Sequence, residues 1–83
     1  MPTLKHPIAT EKAIGLITKS NVIVYIVDTR STKNDVKKEF ERLFSVKVAS
    51  VHTANMPNNT RKAFIKVAKG FNASDVAMKL KLV

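Results

Sequence analysis

The chain has no cysteine and no tryptophan, only two glycines and three prolines, and six acidic residues. Without cysteine, disulfide frameworks, thiolate zinc sites and thiol catalysis are excluded. Gly15 and Gly70 stand too far apart to build a Gly-x-Gly-x-x-Gly fingerprint or a P-loop cradle for phosphate. No apolar run approaches about 18 residues, and the N-terminus has no signal-peptide apolar core. A soluble, unexported, cytosolic protein is therefore expected. The missing tryptophan also argues against a basic amphipathic helix anchored in an acidic membrane surface.

What is present is an ordinary globular composition with an extraordinary charge. The 83 residues are 45% hydrophobic and 25% charged, which predicts one domain over residues 1–83 and no wholesale disorder. A chain of this size buries roughly 60–65% of its unfolded surface, so its stability alone should be modest. Fifteen Lys and Arg against six acids leave a formal charge of +9 and a pI near 10.2. Such self-repulsion is relieved by a polyanion, and nucleic acid rewards it by releasing counterions. The acids are Glu11, Asp28, Asp35, Glu39, Glu41 and Asp75, so none lies between Arg42 and Ser74, where Lys47, Arg61, Lys62, Lys66 and Lys69 fall. A merely solvated surface mixes its signs. The acid-free stretch reads as the polyanion-facing side and the acids as the side turned away.

Catalysis has few parts to draw on. His6 and His52 are the sole imidazoles, and neither has a second ligand at metal spacing. Glu39 and Glu41 fall on the charged side of a helix, where solvation is the ordinary role of a carboxylate. A small phosphatase would need an anion-binding loop that the sequence does not supply. No enzyme, metal or cofactor is expected.

Along the chain, residues 1–7 read as an extended arm able to pair as an edge strand, because Pro2 and Pro7 disfavour helix before them. Thr10 is the expected N-cap of a short helix that carries Ala13, Ile14 and Ile17 on one face, weakened by Gly15 and ending near Lys19 to Asn21. The run Val22-Ile23-Val24-Tyr25-Ile26-Val27 is a strand covered on both faces, since it does not alternate. Thr32 and Asp35 form a capping-box pattern before a helix with Val36, Phe40, Leu43 and Phe44 on its apolar side. Val46 to Asn55 reads as a strand with Val46 and Val48 on one face and Val51 on the other, broken by a bulge or a twist near Ala49-Ser50, and followed by a turn at Pro57-Asn58-Asn59-Thr60. Arg61 to Ala68 returns with Ala63, Ile65 and Val67 on one face and Lys62, Phe64 and Lys66 on the other. Ser74 is the expected cap of a C-terminal helix in "SDVAMKLKL", with Val76, Ala77 and Leu80 docking. The fold class is α+β: a small two- or three-layer domain. Its three- or four-stranded, mainly antiparallel sheet is a split βαβ unit plus hairpin, packed by helices.

The hairpin segment "VHTANMPNNTRKAFIK" interleaves His52, Thr53, Asn55, Asn58, Asn59 and Thr60 with Arg61, Lys62 and Lys66. RNA recognised by shape uses this mixture, with cations for phosphate and amides or hydroxyls for 2′-OH groups and base edges. Phe64 admits two readings, a base-stacking platform or a residue under a helix on the second sheet face, and the second is preferred. Arg61 and Lys62 are both placed at the exposed start of a strand. The paired aromatics and glycines of an RNA-recognition motif are missing.

The segments "KHPIATEK", "SNVIVYIVDTRSTKNDVKKEFERLFSVKVASVHT" and "RKAFIKVAKGFNASDVAMKL" together resemble the universal large-subunit ribosomal protein twenty-three family, in its short archaeal-type form. The resemblance covers practically the whole chain. The basic-basic-Ala-aromatic-Ile-basic core of Arg61 to Lys66 carries it most specifically, and Val67 departs from the usual leucine. It implies a structural, RNA-binding constituent of the large ribosomal subunit at the rim of the polypeptide exit tunnel. The arm and hairpin would bind ribosomal RNA. The residues expected to meet it are Lys5, His6, Thr10, Lys12, Lys33, Lys37, Thr53, Asn55, Met56, Asn58, Asn59, Arg61, Lys62 and Lys66. Implied partners are large-subunit ribosomal RNA, the neighbouring large-subunit protein twenty-nine, the signal recognition particle and the protein-conducting channel. Glu11 corresponds to an outward glutamate that receives a chaperone in bacterial relatives, which implies a factor-docking role here. An acid at that position also favours the helix N-terminus by about 0.3–1 kcal/mol. The alternative function is a stand-alone basic regulatory module for nucleic acid.

Overall fold

A computed structural model describes residues 4–8 and 10–80. The element order is β1 (Leu4–Pro7), α1 (Glu11–Ser20), β2 (Val22–Val27), α2 (Lys33–Phe44), β3 (Val48–Asn55), β4 (Arg61–Val67) and α3 (Ala73–Lys79). The strands form one antiparallel sheet in the order β1-β2-β4-β3. Both β2 and β3 run antiparallel to β4, so they are parallel to each other, and α2 is the crossover between them. That is the split βαβ expected, with the arm pairing as an edge strand. The first three residues of the arm and the last three of the C-terminal segment lie outside the described residues.

Period-two alternation decides what each strand buries. Ile23, Tyr25 and Val27 of β2 join Ala63, Ile65 and Val67 of β4 in a core closed by Ile17 of α1, Val36 and Phe40 of α2, and Ala73, Val76 and Ala77 of α3. Phe40 is the hub, edge-on to Tyr25 at 6.5 Å and tilted against Phe44 at 4.8 Å between ring centroids. Burying such a residue stabilises by about 1.5–3 kcal/mol. β2 lies between β1 and β4, and Ile23 to Val27 are all buried, on both faces.

The local signals in α2 act as written. Thr32 accepts from the Asp35 backbone N–H and Asp35 accepts from the Thr32 backbone N–H, each at 3.1 Å. The bulge lies between Val48 and Ser50, and it turns both Val48 and Val51 toward the core although they are three residues apart.

Three expectations are corrected. Leu43 is 50% exposed, because Val36, Phe40 and Phe44, four residues apart, carry the contact and leave it to one side. β3 begins at Val48 rather than Val46, because Ser45 ends α2 in the left-handed region at φ 54° and the chain must recover first. Ser74 does not cap α3. The helix starts at Ala73, and its first-turn N–H is met by Asn21, whose Oδ1 accepts from Ala73 at 2.7 Å.

Candidate nucleic-acid interface

α2 and α3 pack on the core face of the sheet, and the opposite face has a different character. Cross-strand register places His6 beside Ile26, Lys62 beside Ile26 and Ala54, Phe64 beside Val24 and His52, and Lys66 beside Val22 and Ser50. Across β3 and β4 none of Ser50, His52, Ala54, Lys62, Phe64 or Lys66 is buried. Val24 and Ile26 are buried there. α1 packs on β2 and has residues on both sides of the sheet. Its Ile17 joins the core, while Ala13 and Leu16 line a cleft with Val24 and Phe64 on the second face. Phe64 is therefore half-buried, and it shares the cleft with Ala13 and Leu16 of α1.

The second basic region is the hairpin end of the sheet. β3 and β4 are joined through Met56 to Thr60, closed by the Met56 N–H donating to the Thr60 carbonyl at 2.8 Å, with Asn59 left-handed at φ 55°. Asn55, Asn58 and Asn59 are exposed. Asparagine tolerates that backbone region better than most residues. The turn after β2 lies at the same end, since Val27 pairs with Arg61. It presents exposed Arg30 and, at the start of α2, exposed Lys33.

Arg61 is not freely exposed at the start of its strand, which corrects the expectation. It is half-buried, and its guanidinium donates to the Ser31 carbonyl at 2.6 Å, the Thr29 carbonyl at 3.5 Å and the Thr53 hydroxyl at 2.9 Å. Its Nε is buried without a partner among the described residues. The side chain ties the β2–α2 turn to β3 and occupies the Thr53 hydroxyl in doing so.

No acid lies in any of the four strands. The acids sit in the helices and one turn, and several are engaged locally. Asp28 accepts from the Arg30 N–H at 2.9 Å, Glu39 pairs with Arg42, and Glu41 accepts from the Val48 N–H at 2.8 Å. The Asp35 carboxyl is held below its usual range, chiefly by the Thr32 backbone N–H, then by the Thr32 hydroxyl and the charge of Lys38. Glu11 is exposed in the first turn of α1, with no hydrogen bond or ion pair among the described residues. It borders an open groove along α1 with Thr10, Gly15, Leu16 and Lys19. A methyl group added at Gly15 would meet nothing within 4 Å, so packing does not require glycine there.

The structure thus gathers His6, Lys12, Lys62 and Lys66 around the second sheet face and its cleft, with Thr10 as the N-cap of α1, accepting from the Ala13 N–H at 3.2 Å. Lys5 is exposed on β1, and Asn55, Met56, Asn58 and Asn59 cluster at the hairpin end. Lys37 stands apart from both groups, exposed on α2 in the helix layer. Arg30 and the cleft residues Ile8, Leu16 and Val24 were absent from the sequence-based set. The alternation of "KAFIK" marks the cleft's strand, but nothing local reveals that α1 supplies its other wall. Among the described residues no group of three or more potential metal ligands gathers, and no helix is long and apolar enough to cross a membrane.

Comparison with known proteins assigns the chain to a family. Residues 2–80 match the family described as Ribosomal protein L23. The chain is 45% identical over 77 residues to the "Large ribosomal subunit protein uL23" of Methanothermobacter thermautotrophicus, covering 93% of this chain and 90% of that one. It is 35% identical over 80 residues to the protein of the same name from Trypanosoma brucei brucei, covering 96% of this chain and 49% of that longer one. With a match across nearly its whole length, the chain belongs to the ribosomal protein L23 family and is a structural, non-enzymatic constituent of the large ribosomal subunit.

Proposed function

We propose that the chain binds large-subunit ribosomal RNA through its second sheet face and hairpin end. The groove along α1, with Glu11 on its border, is then part of a docking surface beside the polypeptide exit tunnel. The observation that carries the RNA reading is the division of charge. Every strand is free of acids, whereas all six acids stand in helices or the turn after β2. On this reading Lys5, His6, Lys12, Lys62 and Lys66 meet phosphate, and Asn55, Asn58 and Asn59 meet sugar or base edges. Arg61 and Thr53 hold the hairpin end in shape, Thr10 and Met56 border the surface, and Lys33 extends it at the start of α2, while Lys37 in the helix layer falls outside it. The docking surface would serve factors that meet the nascent chain, including the signal recognition particle and the protein-conducting channel. Protein twenty-nine of the large subunit would be its neighbour in a cytoplasmic ribosome.

Filter binding of the full chain to a large-subunit ribosomal RNA transcript, across a range of salt, tests this directly. About six phosphate contacts give a log–log slope of roughly −4 to −5. Binding indifferent to salt, or equally tight to duplex DNA, would remove the proposal.

A further inference from the structure

The cleft on the second sheet face has a shape and lining that general phosphate binding does not use. Its volume is about 340 Å³, and Ile8, Ala13, Leu16 and Val24 wall it beside the half-buried ring of Phe64. Clefts that hold a small ligand group begin at roughly this size. Lys12 and Lys62 also line it, Lys66 lies two residues beyond Phe64 along β4 on the same face, and His52 stands opposite Phe64 on β3. An apolar slot with an aromatic wall and a cationic surround matches one nucleotide. The base has a flat π-face for the ring, and its phosphates lie within reach of ammonium groups. A base inside a duplex cannot enter such a slot, because both its faces are already stacked. A neutral lipid or an uncharged apolar peptide would fill the slot but would leave the lysines without counter-charge.

We infer that this cleft holds the base of one unpaired RNA nucleotide against Phe64, with the flanking phosphates on Lys12, Lys62 and Lys66. The inference rests on the RNA-binding reading above and assigns a specific task to a face whose charge alone would bind any phosphate backbone. Stacking is sequence-tolerant, so the cleft selects for an extruded or single-stranded nucleotide rather than for a particular base.

The test uses the full chain and a large-subunit ribosomal RNA transcript. Phe64→Leu keeps the apolar volume and removes the π-face, and is expected to weaken binding about 5- to 100-fold. Phe64→Tyr keeps the face and is expected to bind within about 2-fold of the parent, by the same stacking argument. Neither change should alter the salt slope, whereas Lys62→Ala should reduce its magnitude by about 1. Parent-like binding by Phe64→Leu, or equal losses in both Phe64 variants, would overturn the inference while leaving salt-dependent RNA binding intact. If the parent protein shows no salt-dependent binding, the underlying RNA reading fails first. A readout free of any mutation is NMR of the parent protein with a short single-stranded oligoadenylate. Upfield ring-current shifts of the Leu16 and Val24 methyls are expected, and unmoved methyls at saturation would overturn the inference.

Discussion

The Asn21 side chain bonds three backbone groups between 46 and 52 residues away: the carbonyls of Val67 and Phe71 and the N–H of Ala73. Its own backbone, left-handed at φ 57°, ends α1. One residue therefore stops a helix, fastens the end of β4 and caps α3. Asn21→Gly keeps the backbone conformation and deletes the three bonds, so a stability loss of about 1–3 kcal/mol is expected in urea unfolding. Arg61 does comparable work at the other end of the sheet. Arg61→Ala should destabilise by about 1.5–3 kcal/mol, the worth of its charged hydrogen bonds, and leave the salt slope of RNA binding unchanged. Lys62→Ala should do the reverse, holding stability within about 0.5 kcal/mol. Denaturation and filter binding on the same two variants separate these roles. The adjacent cations look interchangeable in sequence, but strand alternation puts them on opposite faces.

At the scale of elements, α2 is the piece whose sequence carries its own instructions. The Thr32–Asp35 box, the four-residue apolar spacing and the paired Glu39 and Arg42 are all local. Because the Thr32 backbone N–H holds the folded Asp35 carboxyl below its ordinary unfolded value, its contribution is fully present above that ordinary value. It is lost as the pH falls through the lower folded value. In acid titrations of stability, Asp35→Asn should flatten this part of the curve and leave stability near pH 9 with no further pH dependence from this group. α3 shows the opposite situation. Its expected cap, Ser74, lies inside the helix, and Asn21 supplies what the segment lacks. β3 stands between these cases. Its interrupted alternation announces a bulge or a twist, but only pairing with β4 shows a bulge that brings Val51, expected on the opposite face, to the same side as Val48.

At the scale of the whole molecule, the sheet separates two chemistries. One side is an apolar core beneath helices that carry most of the acids, and the other is a cationic surface around an aromatic cleft. Family membership assigns the molecule to the large subunit, and its charge division is the basis of the proposal that it meets RNA with the second sheet face. The element order, the split βαβ topology, the capped α2, the alternation of β4 and the excess positive charge were all legible in the amino-acid sequence. Each of these follows from local periodicity, capping chemistry or composition. Tertiary structure alone decided that Arg61 is a brace, that Asn21 caps a helix far along the chain, and that α1 completes a cleft with Phe64. Those outcomes depend on which distant backbone groups and side chains the packed sheet and helices bring within reach of one another.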